Sequence, residues 1–266
     1  MPTILITGAS QGIGRESALL FQKRGWNVAA TMRCPEKAPP SSLFCPALDV
    51  TKPETIRAAV AATIDHFGGL DVLLNNAGYG AVGPFEAASR EQIFRQYETN
   101  LFGLMETTRA VLPYFRRQKN GLIINVTSVA GRTTFPLYTL YNSTKWAVEG
   151  FSEALRFEVE PFNIKVKLIE PSGIKTEFSR ASAEILTDPR LTDYDDFVAR
   201  VKPWIERMNA SGHPPQMAAE TIYRAANDRS GKFRYVVGAE GKLLLFLKRI
   251  LPDNWIFAFS KKLFVT

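Results

Sequence analysis

Tyr141 and Lys145 stand four residues apart in a stretch whose apolar spacing predicts a helix over 139–159, so their side chains share one face. A free phenol titrates near pH ~10. A cation a few ångströms away in a partly dry site is worth on the order of 4 kcal/mol, and each pKa unit corresponds to ~1.4 kcal/mol. Lys145 is therefore expected to bring the Tyr141 phenol towards the working range of a general acid or base. Ser128 closes a predicted strand, at the carboxyl edge where open α/β sheets hold their ligands. A hydroxyl there can polarise a carbonyl and steady the charge of a developing alkoxide.

A second group of residues fits an anion. Thr7-Gly8-Ala9-Ser10-Gln11-Gly12-Ile13-Gly14 directly follows the first predicted strand and opens the first predicted helix. Glycines there let backbone N–H groups approach a pyrophosphate, and the helix N-terminus favours negative charge. Gly8, Ser10, Gln11, Gly12, Ile13 and Gly14 are thus candidate dinucleotide contacts. NAD-binding units carry an acid at the tip of the second strand for the ribose hydroxyls. Here the strand at 27–32 is followed by Arg33. A guanidinium suits a 2′-phosphate and does nothing for a free 2′-hydroxyl. With Arg15 just past the glycine turn, this favours NADP(H) over NAD(H). Lys145 can in addition hold the nicotinamide ribose.

Positioning these groups requires alternating elements. Apolar runs at 4–7, 27–32, 72–75, 122–128, 166–170 and 235–238 read as strands. Amphipathic stretches at 13–24, 54–66, 91–115, 139–159 and 217–226 read as helices. Ser89 with Gln92 forms a candidate capping box. Short connections and strands apolar on both faces predict an α/β fold, a doubly wound parallel sheet of Rossmann type with three α/β/α layers. After Glu170 the alternation lapses. Residues 176–215 show no strand signal and read as a helical insertion in a single domain over 1–266, with an amphipathic tail at 241–266.

Composition narrows the classes. The 266 residues are 45% hydrophobic and 22% charged, which is enough apolar material for a buried core and excludes disorder. The balance of 33 Lys+Arg against 26 Asp+Glu leaves +7. No basic aromatic surface or motif accompanies that charge, so nucleic acid is not an expected partner. Cys34 and Cys45 form no disulfide framework or metal pattern, and neither His66 nor His213 has a ligand at metal spacing, so no metal is expected. No leader or membrane span is read from the sequence, which predicts a cytoplasmic protein.

The motifs in order resemble those of the short-chain dehydrogenases/reductases, in the single-domain branch of about 250 residues. Residues 7–14 match that family's TGxxxGIG, Asn75-Asn76-Ala77-Gly78 its NNAG, and Asn100, Ser128, Tyr141 and Lys145 its catalytic tetrad. Pro171-Ser172-Gly173-Ile174-Lys175-Thr176 matches the segment after its sixth strand, with serine where the family usually has glycine. The resemblance runs from residue 3 to about 180. Asn76 to Gly80, with an arginine after the second strand, looks most like hydroxysteroid- and retinol-dehydrogenase-like relatives. The resemblance implies that Asn100 positions a water relaying protons to Lys145. It implies that Asp49 and Val50, ending a third strand, touch adenine, and that Asn75, Ala77 and Gly78 line the adenosine ribose. Pro171, Ile174 and Thr176 are implied near the carboxamide or pyrophosphate, and a homodimer or homotetramer is implied.

The substrate end is expected from Val129, Phe135, Tyr138, Phe178, Trp204 and Met208, an apolar and aromatic set that favours a hydrophobic alcohol or carbonyl compound over a sugar. The tail mixes apolar residues with Lys242, Lys248, Arg249, Lys261 and Lys262. Membrane-surface contact and packing on protein both fit it, and packing is favoured. The rival to an enzyme is a non-catalytic NADP(H)-binding sensor or interaction protein, against which the retention of all four catalytic groups argues. An extended epimerase-type relative is disfavoured by the short C-terminal region.

Overall fold

The computed structural model describes residues 1–37, 43–175 and 183–264. The first half runs β1 (Thr3–Ile6), α1 (Gly12–Lys23), β2 (Asn27–Ala30), α2 (Pro53–Phe67), β3 (Val72–Asn75), β4 (Gly80–Val82), α3 (Arg90–Tyr97) and α4 (Gly103–Gln118). It continues with β5 (Gly121–Val126), α5 (Thr139–Val159), β6 (Ile164–Pro171), β7 (Ala183–Ile185), α6 (Asp195–Ser211), α7 (Pro215–Asn227), β8 (Arg234–Val237), α8 (Ala239–Ile250) and α9 (Asp253–Phe264). Six strands form one parallel sheet in the order β2-β1-β3-β5-β6-β8. The order reverses between β1 and β3, which opens a crevice at their carboxyl ends.

The continuous apolar strands divide by parity between two helical layers. Leu5, Leu73, Ile123 and Val166 face α2, α4 and α5, through Ile56, Val60, Phe115 and Leu155. Ile4, Ile6, Leu74 and Ile124 face α1 and α7, through Phe21, Ala218 and Ile222. This is the three-layer α/β/α arrangement expected from the sequence. The Lys167 ammonium, 2% exposed, is held by the carbonyls of Ala225 (2.8 Å) and Asp228 (2.5 Å) at the end of α7.

The structure departs from the expected elements in three places. The strand expected to end at Asp49 is reduced to isolated bridges, Ala29 with Phe44 and Met32 with Ala47. Ala30 donates to Phe44 (2.8 Å) and Leu48 to Met32 (2.9 Å), but Pro46, which lacks an N–H, stands between these bonds. The helix expected over 91–115 is divided by a π turn at Glu98–Phe102. The 176–215 region, expected to lack strands, contains β7, which pairs in parallel with β4 as a separate two-stranded sheet. β7 is too short to leave a periodic signal. The capping box at Ser89 and Gln92 is formed in both directions.

Candidate active site

A cavity of about 740 Å³ runs along the carboxyl edge of the sheet. At one end it meets the N-terminus of α1, where Gly8, Ser10, Gln11, Gly12 and Ile13 line it. Gly8 has φ +67°, and a Cβ there would lie 2.9 Å from Ala77 Cα. The turn is thus a backbone-walled cradle that a side chain would fill, beside a helix terminus that favours an anion. Arg33, Asp49 and Val50 line the same end. Ala77, Gly78, Pro171 and Ile174 line the middle. These residues suit a dinucleotide: a pyrophosphate at the turn, a base beside Asp49 and Val50, and the reactive ring towards Ser128, Tyr141 and Lys145.

Those three residues converge at the other end of the same cavity. Ser128 follows β5. Its hydroxyl accepts from the Ala130 N–H (3.1 Å) and donates to the Pro171 carbonyl (3.3 Å), tying the ends of β5 and β6 together. Tyr141 and Lys145 occupy consecutive turns at the start of α5, whose entry is set by Leu137 at φ +64°. Asn142 Nδ2 closes that entry by donating to the Phe135 carbonyl (3.1 Å). Lys145 is 5% exposed, donates to the Val126 carbonyl (2.9 Å), and has its Nζ 5.7 Å from the Tyr141 ring centroid.

Burial dominates the titration of both groups. It pushes the Tyr141 phenol up to about 12 against a hydrogen bond with Ser128 that lowers it. It pulls the Lys145 ammonium down to about 8, partly countered by the Glu149 carboxylate one turn further along α5. The expectation that Lys145 brings the phenol down is therefore not met: the ammonium turns to Val126, and desolvation of the phenol is the larger effect. The phenol consequently holds its proton at neutral pH, the form a general acid requires.

Asn100 lies in the π turn and is 1% exposed. Its Oδ1 accepts from Tyr79 N–H (2.9 Å), while its Nδ2 donates to the Tyr79 carbonyl (2.8 Å) and Thr144 Oγ1 (3.3 Å). Its side chain thus clamps the strand-end loop beside Lys145 rather than opening onto the cavity. Asn75, implied along the ribose, lies instead in a buried network, donating to Thr108 Oγ1 (3.0 Å) and Asn125 Oδ1 (2.9 Å). The neighbouring Asn76 lines the cavity and holds the glycine turn through the carbonyls of Thr7 and Gly8, both at 3.0 Å. The doubled asparagine was the signal, and strand parity decides which one faces the ligand. Gly14 packs against the Gly8 carbonyl rather than lining the cavity, and Arg15 is exposed and paired with Glu16 (3.3 Å).

At the substrate end Val129, Phe135, Tyr138 and Met208 line the cavity. Trp204 stands behind them, stacked on Phe135 with centroids 5.6 Å apart. Thr176 and Phe178 lie outside the described residues. The sequence reading missed Tyr79, Arg95, Glu184 and Asn209, which make this end partly polar. Arg95 and Glu184 form an ion pair across the cavity wall, joining α3 to β7. Ser172, where the family usually has glycine, turns away to the Val237 carbonyl (2.8 Å) and Glu240 Oε1 (2.5 Å), and His213 Nε2 meets the same oxygen at 2.8 Å.

A doubly wound parallel sheet with a dinucleotide cradle and a serine–tyrosine–lysine cluster at its carboxyl edge defines a class of nicotinamide-dependent oxidoreductases, and the comparisons agree. A family model described as short chain dehydrogenase matches residues 2–185. The chain is 37% identical over 254 residues to a 3-ketodihydrosphingosine reductase of Bacteroides thetaiotaomicron, covering 94% of this chain and 93% of that one. A solved short-chain dehydrogenase from Streptomyces avermitilis superposes with TM-score 0.82 at 30% identity, over 98% of this chain and 95% of that one. ElxO, solved with NADP bound, superposes with TM-score 0.72 at 26% identity, over 89% of this chain and 96% of that one. Other structural relatives were solved with NADH or NAD. The chain belongs to the short-chain dehydrogenase/reductase family and is an oxidoreductase acting on CH–OH donors with a nicotinamide dinucleotide.

Proposed function

We propose that this protein is an NADP(H)-dependent oxidoreductase that interconverts a hydrophobic alcohol and its ketone or aldehyde, with the whole chain acting as one catalytic domain. The carrying observation is the single cavity joining the α1 cradle and Arg33 to Ser128, Tyr141 and Lys145. The nicotinamide, when bound, supplies or takes up the hydride. Ser128 holds the substrate oxygen. In reduction the Tyr141 phenol delivers its proton to that oxygen, and Lys145, positive below about 8, stabilises the phenolate left behind. Asn100 keeps the Tyr79 loop and Lys145 in register. Arg33 at the adenosine end supports a 2′-phosphate, since no other cation lines that end among the described residues. Phe135, Tyr138, Val129 and Met208 support an apolar carbonyl compound, and the likeness to a 3-ketodihydrosphingosine reductase supports a long-chain one. Exposed Phe94 on α3 and Phe102 in the π turn support a homo-oligomer.

The test is oxidation of NADPH and of NADH over a panel of hydrophobic aldehydes and ketones. Faster turnover with NADPH, increasing with the apolar length of the carbonyl compound, is expected. A clear NADH preference would remove the role given to Arg33. Nucleotide binding without turnover of any carbonyl compound would leave a sensor in place of an enzyme.

A further inference from the structure

We propose that the outer face of α8 and α9 docks on the headgroup–acyl boundary of a membrane rich in anionic lipid. Both helices are fixed to the body by their inner faces. Gly241 and Leu245 of α8 are buried, and the Lys248 ammonium sits 5.2 Å over the Trp146 ring. Phe264 of α9 packs against Trp204 and Phe135, with centroids at 4.4 and 6.0 Å. The outer faces of the two helices each carry an apolar stripe. Leu243 (58%), Phe246 (58%) and Ile250 (57%) form one exposed stripe on α8. Trp255 (68%), Phe259 (61%) and Leu263 (52%) form one on α9. A full aromatic side chain offers roughly 200 Å², so these three aromatic and three aliphatic side chains, each more than half exposed, leave several hundred Å² of apolar surface, at or beyond what a soluble monomer keeps bare.

Charge selects the occupant. By helical position Lys242 and Arg249 flank the α8 stripe, while Lys261 and Lys262 lie in the last turn of α9. The acids on the two helices are Glu240, engaged with Ser172 and His213, and Asp253 at the start of α9. A second copy laid symmetrically on this face would set cations against cations, with Asp253 and the engaged Glu240 the only acids of the two helices to meet them. Apolar side chains beside lysine and arginine are instead what an anionic bilayer surface accommodates. Neither helix can cross: each has 12 residues, and among the described residues no helix is long and apolar enough to span a membrane. The inner side of α9 meets the substrate end, where Phe264 packs against the Phe135–Trp204 wall.

The test is co-sedimentation of the full chain with phosphatidylglycerol-containing vesicles and with phosphatidylcholine vesicles. At least about tenfold stronger partitioning onto the anionic vesicles is expected, weakening as salt is raised. A Phe246→Ser, Phe259→Ser double variant should lose at least about tenfold of that partitioning, with turnover of a water-soluble carbonyl compound and thermal melting unchanged. Equal partitioning onto both vesicle types, no partitioning, or full partitioning by the double variant would overturn the proposal. So would a solution dimer that this double variant breaks, which would assign the face to a second copy.

Discussion

At the scale of single residues the proposed mechanism divides the site between Tyr141 as proton donor, Lys145 as the cation beside the phenolate and Ser128 as the hydroxyl for the substrate oxygen. Replacing Tyr141 by Phe removes the transferable proton and leaves the ring. We expect kcat/KM to fall by roughly 10²–10⁴-fold while NADPH binding, followed by nucleotide fluorescence, is kept. Lys145 sets the pH dependence. It is charged below about 8 and neutral above, and only the charged form stabilises a phenolate. The reductive rate should therefore be level at neutral pH and fall as pH rises through about 8, and this limb should vanish in Lys145→Met along with most of the activity. Arg33→Ala should raise the KM for NADPH by roughly 10–100-fold, the worth of a charge-assisted hydrogen bond, and leave the KM for NADH nearly unchanged. Equal losses for both nucleotides would assign Arg33 a structural role.

Between elements, a buried ionic cluster locks α5 to the sheet directly behind the catalytic groups. Glu170 of β6 is fully buried, between Arg132 (3.3 Å) and Arg234 of β8 (3.2 Å). Glu149 accepts from Thr127 (2.7 Å) and from Arg234 (3.0 Å). Burial and the nearby Glu149 push the Glu170 carboxyl from 4.5 up to about 7, against the two arginines. The folded state then holds this proton more tightly than the unfolded chain, so the contribution of Glu170 to stability falls as pH rises from about 4.5 to about 7. The loss is on the order of 3 kcal/mol at ~1.4 kcal/mol per pKa unit. Glu170→Gln should flatten this part of the profile, so that melting temperatures of the two proteins diverge as pH rises from 5 to 8.

Legibility followed the same element scale. Strand parity, helix spacing and the glycine turn are local properties, and the α5 bounds and the capping box at Ser89 follow from them. The convergence of Tyr141, Lys145 and Ser128 on one cavity was legible because residue type and spacing carry it. What the sequence hid depends on three-dimensional context. Desolvation, not the neighbouring cation, governs the Tyr141 phenol. The choice between Asn75 and Asn76 turns on which face of β3 meets the helices. The polar Arg95 and Glu184 at the substrate end are 89 residues apart in the chain and meet through the β4–β7 pairing and the contacts of α3 with Glu184. The π turn at Asn100 leaves no sign in apolar spacing, because a single wider turn barely shifts it.

Across the whole molecule, the +7 charge resolves into places. Arg33 lines the cavity. Lys167, Arg132 and Arg234 are spent inside on carbonyls and carboxylates. The tail carries an exposed basic margin. Phe264 connects that tail to the cavity, so Phe264→Ala should raise the KM for long apolar carbonyl compounds several-fold through the lost wall, on the order of 1 kcal/mol of apolar contact. Small carbonyl compounds, which do not reach Trp204, should be little affected.

Pro46 has a consequence beyond the missing strand. The β2 side of the sheet would otherwise end in a regular row of unpaired donors and acceptors, a surface on which another chain can grow by strand addition. With bridges at Phe44 and Ala47, and a residue between them that cannot donate, the described part of the outermost segment, from residue 43, offers no continuous ladder to copy. The same proline therefore interrupts the row of donors that strand addition would need, on the side of the sheet where Arg33 and Asp49 line the cavity.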